Sequence, residues 1–197
     1  MATIKPREIH GKWHSGFYLD EHTIKSVFLG YDSFGHTIFN TQRTELGELL
    51  YRLKYNKDIS VINVMINTLS EFIKNTGWRI DLIVPVPPSN QNRKIQPVLI
   101  LSEKLAEKLD INICKNCVYK IKNTPQLKDI YEYNERMNIL KGAFEINQAI
   151  VEKKNILLFD DLYRSGATVN CITKELIEKG KVNNVYLIVL TRTKKKR

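Results

Sequence analysis

Apolar residues recur at every third or fourth position in four segments of the chain, which is the spacing of an amphipathic helix. In the first segment, Thr44 is a candidate N-cap, and the apolar face is formed by Leu46, Leu49, Leu50 and Leu53. The other three helices are predicted over 60–75, 97–109 and 169–179. Pro97 suits a first turn and Gly180 a helix end. The residues of the last helix predicted to face inward are Ile172, Leu176 and Ile177.

Short, continuous apolar runs between these helices predict buried strands. The runs are Ile80–Val86, Asn155–Phe159 and Val185–Leu190. Prolines at positions 85, 87 and 88 should end the first strand in a rigid loop. Strands that alternate with helices of this length are typical of parallel β-α-β units, so the pattern predicts an α/β fold. Residues 111–147 are predicted to form shorter strands and turns.

A different pattern occupies residues 1–43, which are rich in glycine, histidine and aromatic residues. Two β-prone runs, Ser26–Tyr31 and His36–Gln42, flank a short glycine-containing loop, so a β-hairpin is predicted here. Trp13, Phe17 and Tyr18 precede the hairpin. We favour their packing against the core over the alternative that they stack on a base.

The net charge of the chain favours some classes of binding partner but does not identify one. The chain has 197 residues, with 31 Lys+Arg against 21 Asp+Glu and a net charge of +10. A basic excess favours an anionic partner, which could be nucleic acid, a membrane surface or a phosphorylated small molecule. Lys194–Arg197 forms a basic tail, interpreted as a solvated end or, alternatively, as a contact for nucleic acid.

The sequence carries no strong signal for a metal centre, a disulfide framework or a membrane span. No apolar run approaches the roughly 20 residues that span a bilayer, and three cysteines are typical of a reducing compartment, so we expect a soluble cytoplasmic protein. Cys114 and Cys117 form a single Cys-x-x-Cys in a β-prone segment, and two unremarkable buried cysteines are the favoured interpretation. Cys171 is predicted to face the core or to have no specific role. The histidines, which lack metal-ligand spacing, are His10, His14, His22 and His36.

The segment with the clearest chemistry is 155–168, in which an apolar strand is followed by Asp160 and Asp161, a loop of small residues and the start of a helix. Ligands of open α/β sheets bind at the carboxyl ends of the strands. Backbone N–H groups at a helix start favour an anion, and Gly166 would allow close approach. Carboxylates for sugar hydroxyls beside a phosphate nest describe a ribose-5-phosphate site. The alternative is plain helix capping.

This segment resembles the phosphoribosyl pyrophosphate (PRPP) motif of type I phosphoribosyltransferases: four apolar residues, two acids, a short linker and Ser-Gly-Ala-Thr. Further segments resemble ComF-like members of that family, in the same order along the chain. They are 46–55, 81–89, Gln126, Arg136, Asn138 and 142–144. The resemblance covers about residues 44–193. It implies a type I phosphoribosyltransferase-like parallel sheet flanked by helices, preceded by an N-terminal hairpin or hood segment (1–43) and followed by the tail (194–197).

The resemblance also implies site residues. Asp160 and Asp161 would bind the ribose 2′- and 3′-hydroxyls of PRPP. The 5′-phosphate would lie on Arg164, Ser165, Gly166, Ala167 and Thr168. The pyrophosphate would face Pro87, Pro88 and Ser89, with help from Arg93 or Lys94. Mg²⁺ would be held mainly through PRPP oxygens, and a nitrogen nucleophile would displace pyrophosphate from C1′.

Because the sequence departs from the family pattern at several points, it does not identify the acceptor. Residues 1–43 hold no cysteine, so the Cys-x-x-Cys module of many ComF-like proteins is absent or replaced, and the segment 92–96 is shortened. The acceptor would be read by a hood built from the hairpin and nearby helices, where Tyr131 and Tyr133 could flank it or simply pack on a surface helix. A second hypothesis is a non-catalytic PRPP or nucleotide sensor, or a nucleic-acid-associated factor in DNA uptake or processing. Dimers are frequent among the type I relatives, so a homodimer is a further expectation.

Overall fold

The computed structural model describes residues 1–89, 93–125, 130 and 132–193. Gln126, Tyr131 and the tail 194–197, singled out in the sequence, lie outside the described residues. The strands of the described part are β1 (Arg7–Glu8), β2 (Ser15–Glu21), β3 (Thr23–Tyr31), β4 (Thr37–Arg43), β5 (Leu82–Pro85), β6 (Val118–Lys120), β7 (Phe144–Ile146), β8 (Asn155–Tyr163) and β9 (Asn184–Arg192).

Helices cover the sheet and carry most of the remaining apolar residues. They are α1 (Glu45–Tyr55), α2 (Ile62–Asn75), α3 (Pro97–Leu109), α4 (Tyr133–Leu140), α5 (Gln148–Val151) and α6 (Ala167–Glu178), with a 3₁₀ turn at Ile59–Val61 before α2. The predicted helices are confirmed to within a few residues at each end. Among the described residues, no helix combines the length and the apolar character needed to cross a membrane.

A five-stranded sheet in the order β1-β2-β9-β8-β5 forms the centre of the protein. Strands β2, β9, β8 and β5 run parallel to one another, and β1 pairs antiparallel with β2. Both faces of β8 and β9 are buried because their sequences are nearly continuous apolar runs. One core lies on each face of the sheet, and α1, α2 and α3 contribute to the same one. The predicted α/β fold, a parallel sheet flanked by helices, is confirmed.

The hairpin is confirmed as a separate two-stranded sheet of β3 and β4. The sequence did not predict that β2, within the N-terminal segment, joins the central sheet beside β9. Trp13 and Tyr18 are buried in the core, in agreement with the favoured interpretation of these aromatic residues. The central sheet therefore extends into the segment 1–43.

Several local predictions were wrong. Strand β8 continues through the two acids to Tyr163, because β9 offers it backbone partners that far. Helix α4 lies within residues 111–147, which were predicted to form shorter strands and turns, and it bears out the surface helix that was one interpretation of Tyr133. The amphipathic pattern of this helix is weak. Ile177 is 45% exposed instead of facing inward, since α6 turns the neighbouring Leu176 into the core.

Cys114 and Cys117 are joined by a disulfide, which corrects their interpretation as two separate unremarkable cysteines. A turn of two residues brings their Cα atoms within 5.6 Å of each other, inside the range a disulfide spans. Cys117 is buried, and Cys171 is free and buried in the core as predicted.

Candidate functional site

A cavity of about 360 Å³ opens at the carboxyl ends of β5 and β8. The two strands are adjacent and parallel, with Pro85 paired to Phe159, so the loops that follow them meet at one edge of the sheet. The cavity is lined by the acids of β8, by the loop leading into α6 and by the loop after β5. It is therefore placed where open α/β sheets bind their ligands.

The acid pair lies on the last part of β8, and both carboxylates line the cavity. The Asp160 side chain accepts a hydrogen bond from the backbone N–H of Asp161 at 2.9 Å. Burial, followed by the repulsion of the Asp161 carboxylate, raises the pKa of Asp160 to about 8. A carboxyl held in this state gains from any ligand that brings hydrogen-bond donors or positive charge.

Lys54 of α1 neutralises the second acid. Its Nζ lies 3.1 Å from Oδ2 of Asp161, and each side chain is only 15% exposed. The start of α1 is fixed to the end of β2, because the Thr44 hydroxyl donates to the Glu21 carbonyl and accepts from the Gly47 N–H. A side chain at position 47 would collide with the His22 carbonyl, so glycine is needed for this close approach.

The loop 164–168 turns sharply into α6. Gly166 is the N-cap with φ +79°, a left-handed conformation that favours glycine, and a side chain there would collide with the Tyr163 hydroxyl. Ser165 and Thr168 line the cavity with the backbone of the first turn of α6. All five residues predicted to bind the 5′-phosphate are thus brought together at a helix start, where backbone N–H groups favour an anion.

Arg136 is a buried cation beside this loop that the sequence analysis did not place in the site. It lies on α4, is 8% exposed and donates from Nη1 to the Ser165 hydroxyl at 2.8 Å. Its Nε donates to the Ile130 carbonyl at 2.6 Å. The match of Arg136 to the family pattern could have indicated that it belongs to the site. The spacing along the chain, however, does not show that α4 packs against α6.

The loop after β5 is held beside the acids, since the Val86 N–H donates to the Phe159 carbonyl at 2.8 Å. Pro87, Pro88, Ser89 and Arg93 line the cavity. Lys94, the alternative to Arg93, is exposed and is not among the lining residues. The structure thus brings together every predicted site residue except Lys94.

Lys120 is another lining residue that the sequence did not identify. It ends β6, in the small antiparallel sheet of β6 and β7, and its Nζ donates to the Thr124 hydroxyl at 2.5 Å. Burial lowers the pKa of Lys120. With Lys54, Arg93, Arg136 and Arg164, it makes the cavity wall rich in cations around one acid pair.

The hairpin β3–β4 contributes no lining residue, whereas Lys54 and Tyr55 at the end of α1 do. His22 lies outside the cavity lining; burial lowers its pKa, and its Nδ1 is 3.1 Å from the Thr191 hydroxyl. Within the described residues, no cluster of three or more His, Cys, Asp or Glu side chains could hold a metal ion. The cations that line the cavity favour an anionic ligand.

Sequence comparison connects this geometry to known proteins. No protein-family model matches the chain. The competence protein ComFC of Bacillus subtilis is 30% identical over 154 residues, which cover 78% of this chain and 62% of ComFC. Over this stretch the chain is similar to ComFC. This similarity agrees with the resemblance to ComF-like proteins seen in the sequence, and the chain spans less than two thirds of the length of ComFC.

Solved structures with a similar backbone include two adenine phosphoribosyltransferases. The enzyme of Saccharomyces cerevisiae has a TM-score of 0.48 and 16% identity, with 84% of this chain and 83% of that chain covered. The enzyme of Leishmania tarentolae has a TM-score of 0.49 and 11% identity, with 95% and 94% covered.

Proposed function

We propose that this protein binds Mg²⁺–PRPP in the cavity and transfers its phosphoribosyl group to a nitrogen acceptor. The observation that supports this most is the meeting of two elements in one 360 Å³ cavity: the acid pair of β8 and the small-residue start of α6. Neither element alone distinguishes a ligand site from helix capping.

We assign each part of PRPP to a part of the cavity wall. Asp160 and Asp161 would accept hydrogen bonds from the ribose 2′- and 3′-hydroxyls. The loop 164–168 would hold the 5′-phosphate through backbone N–H groups, with Arg136 supplying charge from behind Ser165. Pro87, Pro88, Ser89 and Arg93 would face the pyrophosphate.

The donor set fits Mg²⁺ only in part. Two adjacent carboxylates are suitable hard oxygen ligands, but three such groups do not meet within the described residues. PRPP oxygens would therefore complete the coordination. When bound, the ion would neutralise charge on the departing pyrophosphate.

In the reaction, the C1′–oxygen bond to pyrophosphate breaks with its electron pair, and a bond from C1′ to the acceptor nitrogen forms. The acceptor nitrogen then loses its proton to solvent. The protein's part would be to position the reactants and to stabilise charge. A carboxylate near the ribose would stabilise the positive charge that develops on the sugar.

Calorimetry with PRPP, in the presence and absence of Mg²⁺, tests the binding proposal. We expect binding that depends on Mg²⁺ and that weakens at least tenfold in Asp160→Asn and Asp161→Asn. Asp110→Asn is a matched control, because Asp110 is an exposed C-cap of α3 in a left-handed conformation that asparagine also adopts. Absence of PRPP binding by the folded wild-type chain would refute the proposal.

A second candidate function is binding without turnover, and the Lys54–Asp161 ion pair favours it. A carboxylate already paired at 3.1 Å has less capacity left for a ribose hydroxyl or a cation. Pyrophosphate release with a panel of nitrogenous bases separates the two candidates. PRPP binding without release on any base supports a sensor.

The similarity to ComFC, a competence protein, supports a nucleic-acid-associated role in DNA uptake or processing as a further form of this alternative. The basic tail Lys194–Arg197 would then contribute to DNA binding. A DNA titration at several salt concentrations tests it, and removal of residues 194–197 should reduce the salt dependence. Binding that is unchanged by this removal excludes a role for the tail.

A further inference from the structure

The hairpin β3–β4 carries the most conspicuous exposed apolar surface of the described residues. Of the large hydrophobic residues that are exposed in the described part of the chain, half lie between positions 24 and 39. They are Ile24, Val27, Phe28, Leu29, Tyr31, Phe34, Ile38 and Phe39. Phe28, Phe39 and Phe34 are 49%, 52% and 84% exposed. A concentration of this kind on one element marks a contact surface.

Three aromatic residues of the hairpin form a plaque on one face. Phe28 and Phe39 are directly paired across the strands, with ring centroids 5.6 Å apart. Tyr31 packs edge-on against Phe28 at 5.3 Å, which the register shift between Phe28 and Gly30 allows. The hydroxyls of Ser26 and Thr41 meet at 2.9 Å further along the strands. We call Phe28, Tyr31 and Phe39 the aromatic plaque.

The hairpin is also incomplete as a sheet. Within the described residues it has two strands, and most of the side chains on both are exposed. An isolated two-stranded hairpin is marginally stable in water, and a third strand or a packed face is usually required. A partner that covers the plaque would supply the missing layer.

Charge indicates which partner this is. The segment 23–43 holds only two basic residues and one acidic residue, on a chain with a net charge of +10. An anionic partner would find few cations here, whereas two copies of this basic chain would repel each other over surfaces that share the positive charge. A nearly neutral, apolar hairpin is where two copies can meet without that cost.

We propose that the aromatic plaque is a dimerisation surface, packed against the same plaque of a second copy about a two-fold axis. Such a contact is self-complementary and closes at two copies. This dimerisation proposal does not depend on the proposed PRPP site. The hairpin leads through Arg43, whose guanidinium lies 3.7 Å above the Tyr51 ring, into α1 and thus towards Lys54. The dimer would therefore anchor the element that carries one wall of the cavity.

Sedimentation equilibrium of the full chain tests the proposal. We expect a dimer whose dissociation constant rises at least tenfold in the double variant Phe28→Ser/Phe39→Ser. The control, Ile59→Ser/Ile177→Ser, also removes two exposed large apolar residues, but from other elements, and should leave the dimer intact. Circular dichroism melting checks that each variant is folded. A wild-type chain that stays monomeric up to its solubility limit, or a dimer unaffected by the plaque variant, overturns the proposal.

Two further readouts identify the surface without weakening it. Added salt should tighten the dimer, because screening reduces the repulsion between the two basic chains, and loss of the dimer in salt would instead indicate an ionic contact and overturn the proposal. A cysteine introduced by Ser26→Cys should form a disulfide between copies under mild oxidation. Glu152→Cys, on an exposed residue remote in sequence, should not. The reverse pattern of cross-links would contradict the proposed surface.

Discussion

At the scale of single residues, Asp160 shows that a residue placed for ligand binding can lower the stability of the folded protein. Its carboxyl lies partly buried beside a second acid, which is costly for a charged group, and the result is a pKa of about 8. Nothing in folding requires two adjacent acids at this point of a buried strand. We infer that the arrangement is retained for a ligand that offsets the cost.

This cost predicts a pH-dependent gain in stability for Asp160→Asn. In the unfolded chain the carboxyl ionises at about pH 3.9, whereas in the folded protein it ionises at about pH 8. The folded state holds the extra proton between these values, so the free energy of unfolding of the wild type falls as the pH rises through this interval. Above pH 8, the variant should therefore melt at a higher temperature than the wild type, by roughly 2–4 °C for each kcal/mol of added stability. The two melting temperatures should converge near pH 4.

Asp58→Asn is the control of opposite sign for these melts. The Ser60 hydroxyl and the Arg52 guanidinium lower the pKa of Asp58, so its carboxylate stabilises the fold above its ordinary pKa. The Asp58→Asn variant should melt below the wild type at neutral pH, and the gap should close in acid. An Asp160→Asn variant that is less stable at pH 8 and above would show that the carboxyl is not under strain.

Arg136 is the second residue whose role can be tested alone. If it holds the 5′-phosphate with Ser165, Arg136→Met should weaken binding of ribose 5-phosphate by about tenfold to a hundredfold, the range expected for one charge-assisted hydrogen bond. Binding of pyrophosphate should change much less, because that group is proposed to lie on the loop after β5. Arg79→Met, at an exposed position outside the cavity lining, is the control. Equal losses for both ligands would indicate a structural role only.

At the scale of elements, the turn into α6 shows how local backbone shape decides a site. Gly166→Ala places a methyl group in a left-handed conformation and against the Tyr163 hydroxyl, so we expect a loss of at least about 1 kcal/mol in stability and weaker PRPP binding. Gly77→Ala separates the two causes, because Gly77 has φ +69° with open space around it. Thermal melts should show the larger loss for position 166. Equal losses would mean that crowding by Tyr163 plays no part.

At the scale of the whole molecule, the N-terminal segment has two parts with different roles. Strand β2 covers one edge of β9, whose middle residues are all buried, while the hairpin lies outside the central sheet. Removing β2 would expose an apolar parallel edge, and removing the hairpin would not.

Two deletions should therefore behave in opposite ways. A chain that lacks residues 1–22 should lose cooperative unfolding or aggregate. A chain in which residues 24–42 are replaced by Asn-Gly should keep its fold, because Thr23 and Arg43 are paired across the strands and a two-residue turn can join them. Thermal melts at one low protein concentration compare the two. A folded chain without 1–22 would show that β2 is dispensable for the central sheet.

The sequence by itself determined the parts of this protein that depend on neighbouring residues. Apolar periodicity placed α1, α2, α3 and α6, and continuous apolar runs placed β5, β8 and β9, because burial on one or both faces leaves a local pattern. The acid pair and the Ser-Gly-Ala-Thr segment were recognisable because they are contiguous. The hairpin was predictable for the same reason.

Tertiary structure decided what depends on distant segments. Only the parallel pairing of β2 with β9 brings the N-terminus into the central sheet, and only the packing of α1 and α4 brings Lys54 to Asp161 and Arg136 to Ser165. These pairs are separated by 107 and 29 residues, so no local spacing encodes them. The pKa of Asp160 likewise depends on burial that the assembled sheet and helices create. The sequence pattern was therefore enough to predict the helices, the strands and the central motif. Long-range packing decided which cations lie in the site and how the charges there interact.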